Sequence, residues 1–193
     1  MIHVALLLAY LAVCWAQVTK PCATPTEWEG IRVMTDTSIP FKEAAKYTYD
    51  ALNRRTRAIV EVQQVIGVDY YDVLHLYNED KEYRFHLKTK TCNVTKPRHP
   101  FFEIRVPSSS ELLFDANVGA AQIPGEYLTV QNWDTTFVDG DKYSITVTST
   151  NCIPVSATYY RKNVGFIIEN FYNVKLGISD PLAFLQRSEC MGL

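Results

Sequence analysis

The chain has 193 residues, with 19 Lys+Arg against 21 Asp+Glu and a formal net charge of −2. That balance provides no basic footprint for nucleic acid and no polybasic run for an anionic membrane. Residues 1–16, M-I-H-V-A-L-L-L-A-Y-L-A-V-C-W-A, form an apolar run too short to span a bilayer that ends in a small residue, which predicts a secretory signal peptide cut after Ala16. Its positive charge comes only from the amino terminus and His3. A single membrane anchor is the competing reading, and no later stretch approaches membrane-spanning length. Residues 17–193 then make one domain, able to bury about 70% of its unfolded surface.

Pro21-Cys22-Ala23-Thr24-Pro25 is a stiff extended lead into a short strand over 28–33. Residues 45–52 follow, with Tyr47 and Tyr49 on one parity, and an Asn53-Arg54-Arg55 turn folds them against 57–66. There Ala58, Val60 and Val62 alternate with Glu61 and Gln63. Gly67 breaks into the clearest signal of the chain, residues 70–92, in which two β-type arms flank the turn residues Asn78-Glu79-Asp80. In the second arm Tyr83, Phe85 and Leu87 alternate with Arg84, His86 and Lys88; the first arm is apolar on both parities, as a central strand is. No gap here admits a crossover helix, so neighbouring strands are predicted antiparallel.

Residues 95–107 carry Pro97, Pro100 and Pro107 and form an irregular connection, with Phe101-Phe102-Glu103-Ile104 supplying apolar surface to hold it on the sheet. Ser108-Ser109-Ser110-Glu111 fits a capping box opening a helix through Ala116, and a strand fits the same residues. A further strand runs over 126–138, and Asp139-Gly140-Asp141 turns into 142–148, where Tyr143, Ile145 and Val147 face one way and small hydroxyls the other. Strands over 152–161 and 164–174 follow, the second with Phe166, Ile168, Tyr172 and Val174 on one face. Asp180-Pro181 reads as an N-cap and first-turn proline before a short helix bearing Leu182, Phe184 and Leu185. Eight to eleven strands and one terminal helix predict a sandwich, a barrel or a curled half-barrel.

Cys14 leaves with the signal, and Cys22, Cys92, Cys152 and Cys190 form an even set for an oxidising compartment: two disulfides, three possible connectivities. Their spacing is too wide for a zinc knuckle. Asn93-Val94-Thr95 is a glycosylation acceptor. Motifs of catalysis are missing: no G-x-S-x-G, no H-E-x-x-H, no glycine-rich phosphate loop. His75, His86 and His99 have no orienting partner at sequence spacing, and Asp139-Gly140-Asp141 lacks the remaining ligands of a calcium loop, so the expectation is no enzyme. Aromatic residues, at 12%, and strands apolar on both faces admit two accounts. One is ordinary core filling. The other is a curved sheet around an apolar cavity of roughly 300–1,000 Å³, with Tyr83, Phe85, Leu87, Tyr143, Ile145, Val147, Phe166 and Ile168 as candidate lining and Trp28 and Trp133 fitting either.

Pro21-Cys22-Ala23-Thr24-Pro25 followed by Trp28-Glu29-Gly30 resembles the N-terminal signature of the ependymins and ependymin-related proteins. The similarity continues through Tyr49-Asp50 with Arg54 and Arg57, Tyr83-Arg84-Phe85 ahead of Cys92, Asn132-Trp133 and Asn151-Cys152-Ile153-Pro154-Val155. It ends with Gly177-Ile178-Ser179-Asp180-Pro181 and Phe184 before Cys190. A lipocalin would carry G-x-W, the reverse order of Trp28-Glu29-Gly30. The resemblance implies a secreted glycoprotein with the bridges Cys22 to Cys152 and Cys92 to Cys190. It implies antiparallel strands curled into a half-barrel of two stacked sheets, like bacterial lipoprotein carriers, with a short C-terminal helix and commonly a dimer. Vertebrate relatives can carry six cysteines where this chain keeps four. The implied function is binding of a fatty acid or lipid in an apolar cavity, with no required cofactor. The alternative is a matrix or cell-adhesion protein with calcium-dependent association, whose calcium ligands the residues do not reveal.

Overall fold

In the computed structural model, residues 19–37, 41–64, 67–162 and 165–192 are described, so the predicted signal over 1–16 lies outside them. The order of elements is β1 Glu27–Asp36, β2 Phe41–Asp50, β3 Arg55–Gln64, β4 Gly67–Leu76, β5 Lys81–His86, β6 Cys92–Thr95, β7 Glu111–Gly119, β8 Tyr127–Thr136, β9 Lys142–Thr148, β10 Pro154–Arg161 and β11 Gly165–Leu176. All pair antiparallel in one open sheet of order β6-β5-β4-β3-β2-β1-β11-β10-β9-β8-β7. The expected two stacked sheets are therefore one. The physical reason is β1, which hydrogen-bonds to β2 on one side and to β11 on the other, joining two meanders edge to edge instead of face to face.

Period-two alternation places one set of side chains on the inner face: Trp28, Arg32 and Met34 of β1, Tyr47 and Tyr49 of β2, Ala58 and Val60 of β3, Val73 of β4, and Tyr143, Ile145 and Val147 of β9. Trp28 is 0% exposed and packs against Tyr47, Tyr49 and Phe171 at ring distances of 5.5, 5.2 and 5.4 Å. Beside it Gly30 admits no side chain, because a Cβ would come within 2.9 Å of the Tyr172 carbonyl oxygen. That approach follows from the register shift between Glu29 and Ile31 in the β1–β11 pairing.

The connection from β6 to β7 joins opposite edges of the sheet and has to cross it. Phe101 stacks on Tyr49 of β2, while the next residue, Phe102, packs edge-on to Tyr143 of β9 and Tyr159 of β10. On a flat sheet β2 and β9 would lie four strand spacings, about 19 Å, apart. Consecutive side chains reach both, so the sheet curls around its own loop. The Ile104 N–H donates to Tyr49 Oη at 3.0 Å, and Thr24 Oγ1 donates to the Ile104 carbonyl at 2.8 Å. Ile104 and Val106 are buried in the same cluster as Trp28 and Trp133. The three prolines keep this segment from becoming a strand, and its apolar residues hold it against the inner face.

Residues 108–116 resolve in favour of strand β7. The predicted C-terminal helix is absent among the described residues: residues 181–184 form a turn and Ser188–Cys190 a single 3-10 turn. The capping chemistry is in place, since Leu182 N–H donates to Asp180 Oδ1 at 2.9 Å. Arg57 Nη1 donates to the Ala183 and Leu185 carbonyls at 2.9 and 3.1 Å and holds the tail in this turn. The tail lies instead on the outer face of β4 and β5, where Ala183, Phe184 and Cys190 cover Leu74, Tyr83 and Phe85.

Candidate functional site

Between the crossing loop and the inner face lies a cavity of two adjoining lobes, about 270 and 170 Å³, which share Arg32, Met34, Tyr77 and His99. Met34, Ala58, Val60 and Val73 give the larger lobe an apolar floor, and Phe101, Phe102, Ile104 and Ile167 line the smaller. A charged stripe runs between them. The Arg32 guanidinium pairs with Glu43 and, at 3.4 Å, with Glu169, and lies 4.3 Å from the Tyr47 ring centroid. Its Nε has no partner among the described residues. Burial alone would lower the pKa of Arg32, yet Glu43, Tyr47 and Glu169 outweigh it, and Arg32 stays charged. Burial raises the pKa of Glu169, an effect Arg32 only partly offsets.

A second polar group sits at the β4–β5 end. Glu82 accepts from His75 Nε2 at 3.2 Å and from Arg84 at 2.9 Å, and the His75 ring stacks on Tyr77. Desolvation would raise the Glu82 pKa, but His75 and Arg84 together hold it down to about 2. At the loop side Arg161 Nη1 lies 3.3 Å from His99 Nδ1, and burial with the Arg161 and Arg98 charges keeps the pKa of His99 below its usual value. The site is thus amphipathic: apolar floor, aromatic wall and fixed charges, with the Thr56 hydroxyl 3.3 Å from His75 Nδ1 on the far side of the imidazole from Glu82.

The candidate lining residues do not come together in this cavity. Tyr143 lies on the inner face beside Phe102 and is buried, as are Ile145 and Val147. Tyr83 and Phe85 point to the opposite face, under the C-terminal tail, where Leu87 packs at the margin. The registers Val73↔Arg84 and His75↔Glu82 turn Glu82 and Arg84 inward instead. Phe166 and Ile168 are also on the outer side, paired with Tyr160 and Thr158. Alternation shows that a strand has an apolar face; it does not say which face looks inward when a tail covers the other. The residues the sequence reading missed, Arg32, Glu43 and Glu169, are charged residues on inward parity, legible only once β1, β2 and β11 are known to be neighbours.

Cys22 is bonded to Cys152 and Cys92 to Cys190, with Cα separations of 5.9 and 5.4 Å. Asn93 is exposed on the edge strand β6. No helix among the described residues is long and apolar enough to cross a membrane.

A disulfide-braced, single-sheet β protein curled over its own crossing loop is the class these features define. The family model described as Ependymin matches residues 67–190, and the chain belongs to the ependymin family. It is 28% identical over 174 residues to mammalian ependymin-related protein 1 of Rattus norvegicus, covering 89% of this chain and 76% of that protein. It is 22% identical to ependymin-2 of Carassius auratus, covering 94% of this chain and 85% of the relative. The crystal structure of an uncharacterized conserved protein from Thermus thermophilus shares the fold at 9% identity and a TM-score of 0.52, covering 86% of this chain and 88% of that one.

Proposed function

We propose that this is a secreted glycoprotein, modified at Asn93, that binds an amphiphile, a fatty acid or similar lipid, in the inner-face cavity of a carrier-type half-barrel and performs no catalysis. The observation that carries the reading is the nature of the closure. A proline-bearing loop, not a second sheet, covers the apolar floor, so the floor can be uncovered without breaking strand pairing. Each lobe is below the roughly 300–1,000 Å³ of ordinary ligand pockets, so an acyl chain has to run through both or lift the loop. Each buried methylene would contribute about 0.8 kcal/mol. Arg32 or Arg84 would meet the polar head.

Native mass spectrometry of protein secreted from culture, followed by solvent extraction, tests this. The expected result is a lipid mass that extraction removes and that a fluorescent fatty acid replaces. Ala58→Trp, which fills the larger lobe, should weaken uptake at least tenfold, whereas Phe101→Ala should leave or improve it. Protein that is empty as purified and takes up no fatty acid overturns the reading. The alternative, calcium-dependent matrix association, is the outcome in which retention in an insoluble layer is unaffected by Ala58→Trp. Among the described residues no three His, Cys, Asp or Glu side chains gather at metal-holding distance, so a calcium ion would have to draw on backbone or amide carbonyls as well.

A second copy is proposed at the β7 edge. β6, the other edge, has four residues and Asn93 exposed on it, whereas β7 has nine, no Lys or Pro, and Leu113, Phe114 and Val118 48–60% exposed. Light scattering should show a dimer at micromolar concentration, with Leu113→Lys/Val118→Lys monomeric. A monomeric parent protein overturns this.

A further inference from the structure

The outer face of β8–β11 carries a groove of about 470 Å³ whose floor differs in kind from the cavity inside. Asp134, Thr136, Lys142, Ser144 and Thr158 project into it beside the rings of Tyr160 and Phe166. The two rings are 5.0 Å apart and inclined at 48°, and Phe166 is 47% exposed. Among the described residues nothing covers them, while the tail that protects the outer face at β4–β5 ends on the other half of the sheet.

We propose that this groove is a carbohydrate-binding site for a neutral pyranoside at the end of an oligosaccharide. The argument is one of complementarity. A pyranose ring presents an apolar face of C–H groups and an equatorial rim of hydroxyls that both donate and accept. Tyr160 and Phe166 supply a hydrophobic platform for the first. Asp134 can only accept, Lys142 can only donate, and Thr158 does either, which suits the second. Among the described residues neither the Asp134 nor the Lys142 side chain has a hydrogen-bond or ion-pair partner, and they approach each other only across the β8–β9 register, where Asp134 faces Ser144 and Thr136 faces Lys142. A simple phosphate or carboxylate ligand would be opposed by Asp134, and a simple cation by Lys142. An acyl chain would leave Asp134, Thr136, Lys142 and Thr158 without compensation.

The groove is also held in shape. The Phe166 N–H donates to Thr37 Oγ1 at 3.2 Å, and its carbonyl accepts from Thr37 N–H at 2.9 Å, so the strand carrying the platform ring is tied to the end of β1. On the other side the Asn132 amide donates to Ser144 Oγ at 3.2 Å and to Thr146 Oγ1 at 2.9 Å, aligning the hydroxyl row. Binding to such a site needs little reordering.

The test is an array of neutral and acidic oligosaccharides probed with the full secreted protein, followed by NMR titration with the strongest neutral trisaccharide. The expected result is saturable binding of neutral glycans in preference to sialylated or sulfated ones. Phe166→Ala and Tyr160→Ala should each weaken binding at least tenfold with an unchanged melting temperature, since both rings are partly open to solvent. Asp134→Asn should narrow the preference against acidic glycans. No binding at millimolar trisaccharide, or binding that both aromatic variants leave intact, overturns the proposal. So does a change of oligomeric state in these variants, which would mark the groove as an interface between copies.

Discussion

Replacing Asp72 by alanine is expected to lower stability by about 3–5 kcal/mol, the cost of removing one partner from a buried charge network. The Asp72 side chain is 2% exposed and accepts from Arg57 Nε and Nη2 at 2.8 and 2.7 Å and from Arg187 Nε at 2.6 Å. Without it two guanidinium groups lose their common counter-charge. Arg57 is also the group that fixes the Ala183 and Leu185 carbonyls, and Arg187 lies 4.8 Å from the Phe85 ring centroid, so the loss is passed to the tail and to the outer-face cluster beneath it. For a chain of this size the melting temperature should fall by roughly 6–20 °C. Limited proteolysis should then cut within 183–189, while Cys190 keeps the fragment attached. A drop under about 1 kcal/mol would mean that solvent screens the network as it does surface pairs.

Asp72 on the outer face and Glu82 on the inner face together predict an acid limb. Burial would raise the pKa of Asp72, but the hydrogen bonds from Arg57 and Arg187 outweigh it and hold it below the usual carboxylate value, and Glu82 is held down to about 2 against an ordinary 4.5. A depressed acid adds stability that is present above its unfolded pKa and lost as pH falls through the folded value. Stability should therefore decline from about pH 4.5 towards pH 2, and Asp72→Ala should show a shallower decline over that window. Equal slopes in the two proteins would contradict the assignment.

Removing the Cys22–Cys152 bridge as Cys22→Ala/Cys152→Ala should cost up to about 5 kcal/mol, because the bond closes a loop with a sequence separation of 130 and so restricts the unfolded chain strongly. The effect should extend beyond stability. The N-terminal arm that Cys22 anchors also holds the crossing loop through Thr24 and the Ile104 carbonyl, so the double variant should take up a fluorescent fatty acid faster and release it faster. Cys152 has a left-handed backbone, φ +54°. Cys22→Ala/Cys152→Gly should therefore recover about 1 kcal/mol relative to the double alanine variant, which separates backbone strain from the loss of the cross-link. Chemical denaturation of the three proteins measures both terms, and unchanged uptake kinetics would detach the arm from the cavity.

Strand identity was written locally. In β9, Tyr143, Ile145 and Val147 alternate with hydroxyls, and all three are buried, because a period of two needs only neighbours two residues away. The hairpin around Asn78-Glu79-Asp80 and the turn at Asp139-Gly140-Asp141 were equally local, since Asp80 and Gly140 take the positive φ that such residues tolerate. Where the sequence reading failed, the deciding partner was distant. Asp180-Pro181 carries helix-start chemistry, yet the segment stays a turn that Arg57, more than a hundred residues away, binds through the Ala183 and Leu185 carbonyls. Tyr83, Phe85 and Leu87 form an apolar face, yet a tail that arrives a hundred residues later decides that this face is outside the sheet.

By itself the sequence determined the β-rich class, the even set of cysteines and, through resemblance, the family, because these depend on residue type and short-range period. Only the tertiary structure decided that there is one sheet and not two, that the proline loop fills the curl, and that charges from β1, β2 and β11 share the cavity with an apolar floor. Those facts depend on which strands become neighbours, settled by β1 between β2 and β11, and on which face of each is covered, settled by the crossing loop inside and the C-terminal tail outside, and no local pattern encodes such long-range contacts.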